Sequence, residues 1–439
     1  MMLFMKTAAH ALNPQAQSAR AERDRLARLS TEDLRRHQLL RLNRQLHSIL
    51  PANRFYCEKL GTQSLQLDSL DELAELPYTF KSDLAPDGRR KSLPRNLTWP
   101  TDDYVRYHRT SGTLGRPMIV YDTNEDWQWW ISTWQYVLDA AEIEPKDRCI
   151  LAFSFGPFVG FWSAFDAIAA RGGMVIPTGG MSSLGRLDVI QSTGATALFC
   201  TPSYALHLAE IAAENGIVTR DCGIRTIVVA GEPGGSIPST RSRIEASWNA
   251  RVIDHGGASE IGPWGTGDRQ GRGLHIVESE FIAEFISVRT GGLAEDNELS
   301  ELVLTSLGRT GSPVIRYRTG DLVRPRWNTQ VDECNFVLLE GGVLGRSDDM
   351  LVIRGVNVFP SSIEQILRGF PEIVEFRMTA SRKSEMDQLK IEIEDRLSKP
   401  DRVQKELHVR LGLRVEVECV EVGSLPRSEG KSKRFVDQR

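Results

Sequence analysis

Six short stretches of this 439-residue chain combine residue types that can do chemistry. The first, Thr110-Ser111-Gly112-Thr113-Leu114-Gly115-Arg116-Pro117, interleaves hydroxyls and glycines and ends beside a cation. Glycines let backbone N–H groups approach a polyphosphate, and hydroxyls add donors. The spacing is not that of a Walker A loop, and alone such a stretch is more often an ordinary turn. The second, Val228 to Gly235, runs an apolar strand into the turn Gly231-Glu232-Pro233, which places a crevice at the carboxyl end of a parallel sheet. In the third, Ile253-Asp254-His255-Gly256-Gly257-Ala258-Ser259-Glu260, position 261 is Ile, so no nucleophile elbow forms around Ser259. A carboxylate beside a hydroxyl there suits Mg²⁺ on a phosphate. The fourth, Arg316-Tyr317-Arg318-Thr319-Gly320-Asp321, offers a carboxylate that can accept from two ribose hydroxyls. The fifth runs from Gly345-Arg346-Ser347-Asp348 to Asn357-Val358-Phe359-Pro360, and the sixth from Pro426 through Lys431 to Arg434. A basic tail of that kind is by itself a solvated end.

These stretches sit in a regular scaffold. Strands are expected at Cys149–Phe155, Gly173–Pro177, Ala195–Thr201, Ile224–Ala230 and Arg251–Asp254. Helix-length segments Val159–Ala170, Arg186–Thr193, Tyr204–Asn215 and Thr240–Trp248 alternate with them, which implies a mainly parallel sheet covered on both faces. Beyond residue 280, strands at Phe281–Val288, Glu301–Ser306 and Val314–Arg318 have shorter links and form a small β-rich subdomain. The fold class is therefore α/β: a large N-terminal domain (1–346) with a helical opening segment (1–100), and a small α+β C-terminal domain (347–439), which the resemblance described below implies is mobile. In the opening segment Ser30-Thr31-Glu32-Asp33 caps a helix, and Leu39, Leu42, Leu46 and Ile49 keep one stripe until Pro51. Trp127, Trp129 and Trp130 fall at helical spacing and are expected to bury a helix face.

With 54 Lys+Arg against 58 Asp+Glu and a net charge of −4, the chain lacks the basic balance of a nucleic-acid binder. No apolar run is long enough to span a bilayer, and the opening Met1–Met5 run is too short for a signal peptide. A soluble, cytoplasmic protein is expected. The six cysteines are scattered without a C-x-x-C pair and read as buried hydrophobes.

Taken in order, RTSGTLGRP, AGEP, IRYRTGD, GRSDDMLVIRGVNVFPSSIE and LPRSEGKSKR resemble the motifs of the adenylate-forming superfamily, in particular its phenylacetate–CoA ligase branch. The resemblance runs from Tyr104 to Arg434 and is most specific over Gly345–Glu364. It implies an ATP-dependent ligase that forms an acyl-adenylate and then a CoA thioester. Thr110, Ser111, Gly112 and Thr113 would hold the triphosphate. Gly231, Glu232 and Pro233 would line the adenine, with Asp254 nearby. Ser259 would contact the α-phosphate and Glu260 would ligate Mg²⁺. Asp321, assisted by Arg346, would take the ribose, and Asp348 would be the domain hinge. Lys431 would reach the carboxylate and α-phosphate, and Asn357, Val358, Phe359 and Pro360 would flank the CoA thiol's tunnel. Phe153, Phe155 and Phe158 would border the acid pocket, pointing to an aromatic acid, although packing in the core explains these rings as well.

Two departures bear on that reading. Gly256 stands where the branch has an aromatic that stacks on adenine, a loss of about 1 kcal/mol or more; His255 either replaces it or supports the turn. Some relatives carry a Cys/His cluster before LLEGG, but here only Cys334 lies in that region and His275 is far off in sequence, so no structural zinc is expected. The cofactors are then ATP, Mg²⁺ and CoA, the partner a small carboxylic acid, and the resemblance suggests a homodimer. The alternatives are transfer to a carrier protein or phenolic cofactor, and a degenerate adenylate binder, which Gly256 favours and Lys431 opposes.

Overall fold

The computed structural model describes residues 14–86, 93–110, 118–153, 156–327, 334–347, 351–353, 356–358, 360–383, 386–411, 415–426 and 434–438. It opens with α1 (Pro14–Ala27), α2 (Thr31–Ile49), α3 (Arg54–Leu60) and the single turn α4 (Lys81–Leu84). A hairpin of β1 (Tyr104–Arg109) and β2 (Ile119–Thr123) leads into α5 (Asn124–Ala140). Strands and helices then alternate: β3 (Arg148–Leu151), α6 (Val159–Arg171), β4 (Met174–Pro177), α7 (Ser183–Thr193), β5 (Ala197–Cys200), α8 (Pro202–Glu214), β6 (Thr226–Ala230), α9 (Pro238–Trp248) and β7 (Arg251–Ala258). Strands alone follow: β8 (Gly262–Gly267), β9 (Gly273–Ile276), β10 (Phe281–Ser287), β11 (Ser300–Ser306), β12 (Tyr317–Val323), β13 (Pro325–Arg326), β14 (Leu338–Glu340) and β15 (Gly345–Arg346). The C-terminal part comprises β16 (Leu351–Ile353), β17 (Val356–Val358), α10 (Pro360–Arg368), β18 (Ile373–Lys383), β19 (Met386–Asp395), α11 (Pro400–Leu411), β20 (Glu416–Cys419) and β21 (Phe435–Asp437).

Nine strands make one sheet in the order β13-β14-β9-β8-β7-β6-β5-β3-β4. Where helices separate the strands, from β3 to β7, pairing is parallel; where the helices stop, β8, β9, β14 and β13 add antiparallel. A parallel neighbour needs a crossover of a dozen residues or more, whereas a hairpin does not. Helices α7, α8 and α9 cover one face through Leu187, Ile190, Leu208, Ile244 and Trp248. The other face takes α2, α5 and α6, with Leu42, Leu46, Trp127, Trp130 and Ala164. The tryptophans of α5 are thus core, as their spacing predicts.

The cap of α2 forms as expected, with Ser30 Oγ accepting from Asp33 N–H at 3.1 Å. Its stripe is buried at Leu42, Leu46 and Ile49, each worth about 1.5–3 kcal/mol of apolar burial. Two buried amides pin the helix to the sheet: Gln38 donates to the carbonyls of Glu278 and Phe281, and Gln45 to that of Ser306.

Strands β10-β11-β12-β15 form a separate antiparallel sheet. The strand expected over Val314–Arg318 begins instead at Tyr317, because Arg316 has φ +48°. That residue turns its guanidinium onto Glu284, with Nη2–Oε1 at 2.7 Å, and onto the carbonyls of Ala74 and Leu76. Beyond residue 350, the sheet β20-β19-β18-β21 packs against α10 and α11 around Ile363, Leu367, Phe376, Ile391 and Leu407, a core of its own. Cys149 and Cys200 are buried in β3 and β5, where burial pushes both thiols up.

Candidate active site

The carboxyl ends of β6 and β7 lie side by side, with Ala230 opposite His255. The turn leaving β6 starts at Gly231, whose φ of +91° a residue with a Cβ rarely adopts. Gly235 lies so close to Asp254 that an added Cβ would sit 2.6 Å from the carboxyl carbon. Asp254 is buried and accepts from Ser236 Oγ at 2.6 Å and from His255 N–H at 3.0 Å. Burial raises its pKa against those bonds. Asp254 therefore clamps the 231–236 turn onto β7. Glu232 accepts from the Ser203 N–H at 2.7 Å.

Strand β7 runs on to a turn that presents Ser259 and Glu260 before β8 returns. The Ser259 carbonyl accepts from Arg309 Nη1 at 3.0 Å. Arg309 is fully buried and donates from Nε to the equally buried Asp122 of β2 at 2.8 Å. Glu260 accepts the Tyr317 hydroxyl at 3.0 Å, and Lys81 Nζ stands 3.7 Å from the same oxygen. Burial pushes the Tyr317 phenol well up, and Glu260 adds to that. Four residues on along β12, Asp321 pairs with Arg346 of β15 at 3.1 Å. Gly320, at φ +76°, leaves the room that Arg346 fills: a Cβ there would lie 2.8 Å from Nη2.

The first motif is described only at its neck. Thr110 Oγ1 accepts from Met118 N–H at 3.0 Å, and Thr110 N–H donates to the Met118 carbonyl at 2.9 Å, closing the β1–β2 loop. The neck is tied to the β3–α6 connection by Arg109 N–H donating to the Pro157 carbonyl at 2.8 Å. On that connection Phe153 stacks on Phe161 at 4.6 Å, and Phe158 meets the same ring edge-on at 6.1 Å. All three rings are partly exposed. Asn357 and Val358 lie in β17, paired with Val352 and Leu351 of β16, and Pro360 opens α10. Ser111, Gly112, Thr113, Phe155, Asp348, Phe359 and Lys431 lie outside the described residues.

At Gly256 an added Cβ would sit 2.7–3.0 Å from the Trp264 ring of β8. The indole occupies the space an aromatic at 256 would need. His255 does not swing in to replace that ring: its Nδ1 is 2.8 Å from the Gly265 carbonyl and its ring lies 4.3 Å from that of Trp134. Burial lowers its pKa to about 4, so it is a neutral support for the turn. His275 and Cys334, distant in sequence, are neighbours in space. Burial would lower the His275 pKa, but bonds to the Asp268 carboxylate and the Cys334 thiol raise it to about 10. Among the described residues no group of three or more His, Cys, Asp or Glu is arranged to hold a metal ion.

Five of these partners carry no local sequence signal: Lys81, Asp122, Arg309, Trp264 and Ser236. Each reaches a motif residue only through the fold, Asp122 by way of Arg309.

Residues 355–439 match the AMP-binding enzyme C-terminal domain. The phenylacetate-coenzyme A ligase of Pseudomonas putida is 31% identical over 439 residues, 96% of this chain and 98% of that one. Its Escherichia coli counterpart is 30% identical over 441 residues, 95% and 97% of the two chains. Among solved structures, a 2-hydroxyisobutyryl-CoA ligase in the postadenylation state with R3-HIB-AMP superposes with a TM-score of 0.88, at 26% identity over 94% of this chain and 92% of that one. The same ligase in the thioesterification state, with 2-HIB-AMP and CoA, gives 0.70 at 27% identity over 94% and 91%. With near-complete coverage at that identity, the chain belongs to the phenylacetate–CoA ligase family and is an AMP-forming acid–CoA ligase that works through an acyl-adenylate.

Proposed function

We propose that this ligase activates an aromatic carboxylic acid such as phenylacetate, with Glu260 as its Mg²⁺ ligand and Lys431 as its mobile catalytic cation. The observation that carries the reading is the Tyr317–Glu260 hydrogen bond. It joins the turn suited to a metal to the strand that carries Asp321, so phosphate and ribose contacts share one wall.

Glu260 fits Mg²⁺, which is held through one or two carboxylates together with substrate phosphates. When bound, the ion offsets charge on the phosphates. The chain's own residues do the rest. Asp321 and Arg346 hold the ribose, and Gly231, Glu232 and Pro233 border the adenine. Thr110 to Thr113 take the triphosphate and Ser259 the α-phosphate. An acid carboxylate attacks the α-phosphorus, the P–O bond to pyrophosphate breaks, and Lys431 stabilises the charge that develops. A compact ammonium on a separate unit can be withdrawn afterwards. The C-terminal domain then begins at 347, swings at Asp348, and brings Asn357–Pro360 beside the CoA thiol. Phe153, Phe155 and Phe158 border the acid. A reading as a degenerate binder loses its support at Gly256, where Trp264 already fills the space.

The test is acid-dependent pyrophosphate release with MgATP across phenylacetate, benzoates, hydroxycinnamates, 2-hydroxyisobutyrate and medium-chain acids, with and without CoA. An aromatic acid is expected to give release, with AMP and a thioester when CoA is present. Lys431→Ala should lower release by about 100- to 1,000-fold. Preference for a small aliphatic acid would overturn the aromatic assignment, and release without thioester would overturn CoA as acceptor.

A further inference from the structure

Arg434 lies three residues beyond Lys431 and immediately before β21. Its Nε donates to Glu375 Oε1 at 2.7 Å and its Nη2 to Oε2 at 3.2 Å, a bidentate pair inside the C-terminal unit. Its Nη1 stands 3.5 Å from Glu364 of α10 and, across the boundary, 3.9 Å from Glu232 on the turn after β6. The guanidinium also faces the Phe376 ring at 5.5 Å, and Arg368 faces that ring at 5.0 Å. The side chains of Arg434 and Glu232 are 11% and 10% exposed, so salt screens this attraction little.

We infer that Arg434 is a positioning residue that pairs with Glu232 to hold the C-terminal unit against the turn after β6 for the first half-reaction and releases it for the second. The inference rests on the ligase reading above, though not on which acid is used. The unequal distances divide the work. The Glu375 pair keeps Arg434 attached to its own unit, and the longer Glu232 contact is the one that can be exchanged. Parting costs little, because neither charge is orphaned. Arg434 retains Glu375 and Glu364, and Glu232 retains the Ser203 N–H. A buried pair broken by deleting one partner would instead strand a charge.

The boundary also contains a repulsion. Arg243 of α9, whose pKa burial lowers, is lowered further by Arg368 and Arg396 of the C-terminal unit. Helices α9 and α10 meet there. The Glu232–Arg434 attraction offsets that crowding only while the unit is docked. The closer superposition on the postadenylation state than on the thioesterification state agrees with this arrangement.

The test is a double-mutant cycle on the full-length enzyme with Glu232→Gln, Arg434→Gln and both together, using an acid the wild type turns over. The first half-reaction is read as acid-dependent ATP–pyrophosphate exchange, and the second as thioester formation from supplied acyl-adenylate and CoA. In exchange, each single substitution is expected to cost about tenfold or more, and the double no more than the worse single. In thioester formation the two effects should simply multiply. Should Arg434→Gln fail to fold, Arg434→Lys takes its place, since it keeps a cation for Glu375 and gives up the forked arm that reaches Glu232. Effects that multiply in exchange, or couple equally in both halves, overturn the inference while leaving the ligase intact. A wild type silent in both halves on every acid overturns the ligase reading and this inference with it.

Discussion

The turn bearing Glu260 and the boundary bridged by Arg434 are both built on buried charges, but the contacts differ in length. Around Glu260, direct hydrogen bonds run from Tyr317 at 3.0 Å, from Arg309 to the Ser259 carbonyl at 3.0 Å, and from Arg309 to Asp122 at 2.8 Å. Across the boundary, Arg434 meets Glu232 at 3.9 Å, while it keeps its 2.7 Å bond to Glu375 inside its own unit. A turn whose geometry must not vary is held by short bonds within one unit. A contact that forms in one step and parts in the next must not leave a bare charge behind, so it is longer and each partner keeps a second one.

The comparison breaks most visibly at Arg309. Replacing it in Arg309→Met leaves Asp122 buried without its partner, with His108 3.6 Å away as the remaining basic group. A loss of about 3–5 kcal/mol is expected, read by denaturant unfolding, together with loss of both half-reactions. If only the adenylation half fell and stability held, the turn would belong with the exchangeable contacts.

A smaller effect is expected at Gly256. Gly256→Tyr drives a side chain into Trp264 and should cost about 1–3 kcal/mol as overpacking. Trp264→Ala in the same chain should recover part of it, and nucleotide affinity would report whether the tyrosine then stacks on adenine. No loss in the single variant would mean that Trp264 moves aside readily and the turn is softer than its contacts indicate.

The smallest effect lies away from both regions. Burial raises the Glu278 pKa from 4.5 to about 7, against the Val337 N–H and His275, which lower it. For an acid raised on folding, the stabilisation is fully present below about 4.5 and is lost as pH rises through about 7. Glu278→Gln should therefore flatten the stability profile between those values and gain about 1 kcal/mol at pH 8. Thermal melts across pH 5–8 check this, and the ratio of the two half-reactions should not move.

Much of the architecture was legible because local forces write it. Alternating apolar runs and helix-length segments marked β3 to β7 with their crossovers, and the Ser30 cap and the Leu42–Ile49 stripe marked α2. The strand at 314–318 was misplaced because Arg316 answers to Glu284, 32 positions away, rather than to its own β-branched neighbours. In the site, Asp321 and Arg346 stood in recognisable motifs, and β12 and β15 do bring them together.

By itself the sequence determined which residue types could neutralise phosphate, hold a ribose and form strands or helices, since spacing and propensity act over a few residues. Only the tertiary structure decided which of them meet. Lys81 beside Glu260, Arg309 between Asp122 and Ser259, and Arg434 against Glu232 join positions tens to hundreds apart, and Trp264 reaches Gly256 only because β8 folds back on β7. Such contacts leave no periodic trace in the sequence. They arise because a buried charge or ring must find a partner, and chain topology determines which one is in reach.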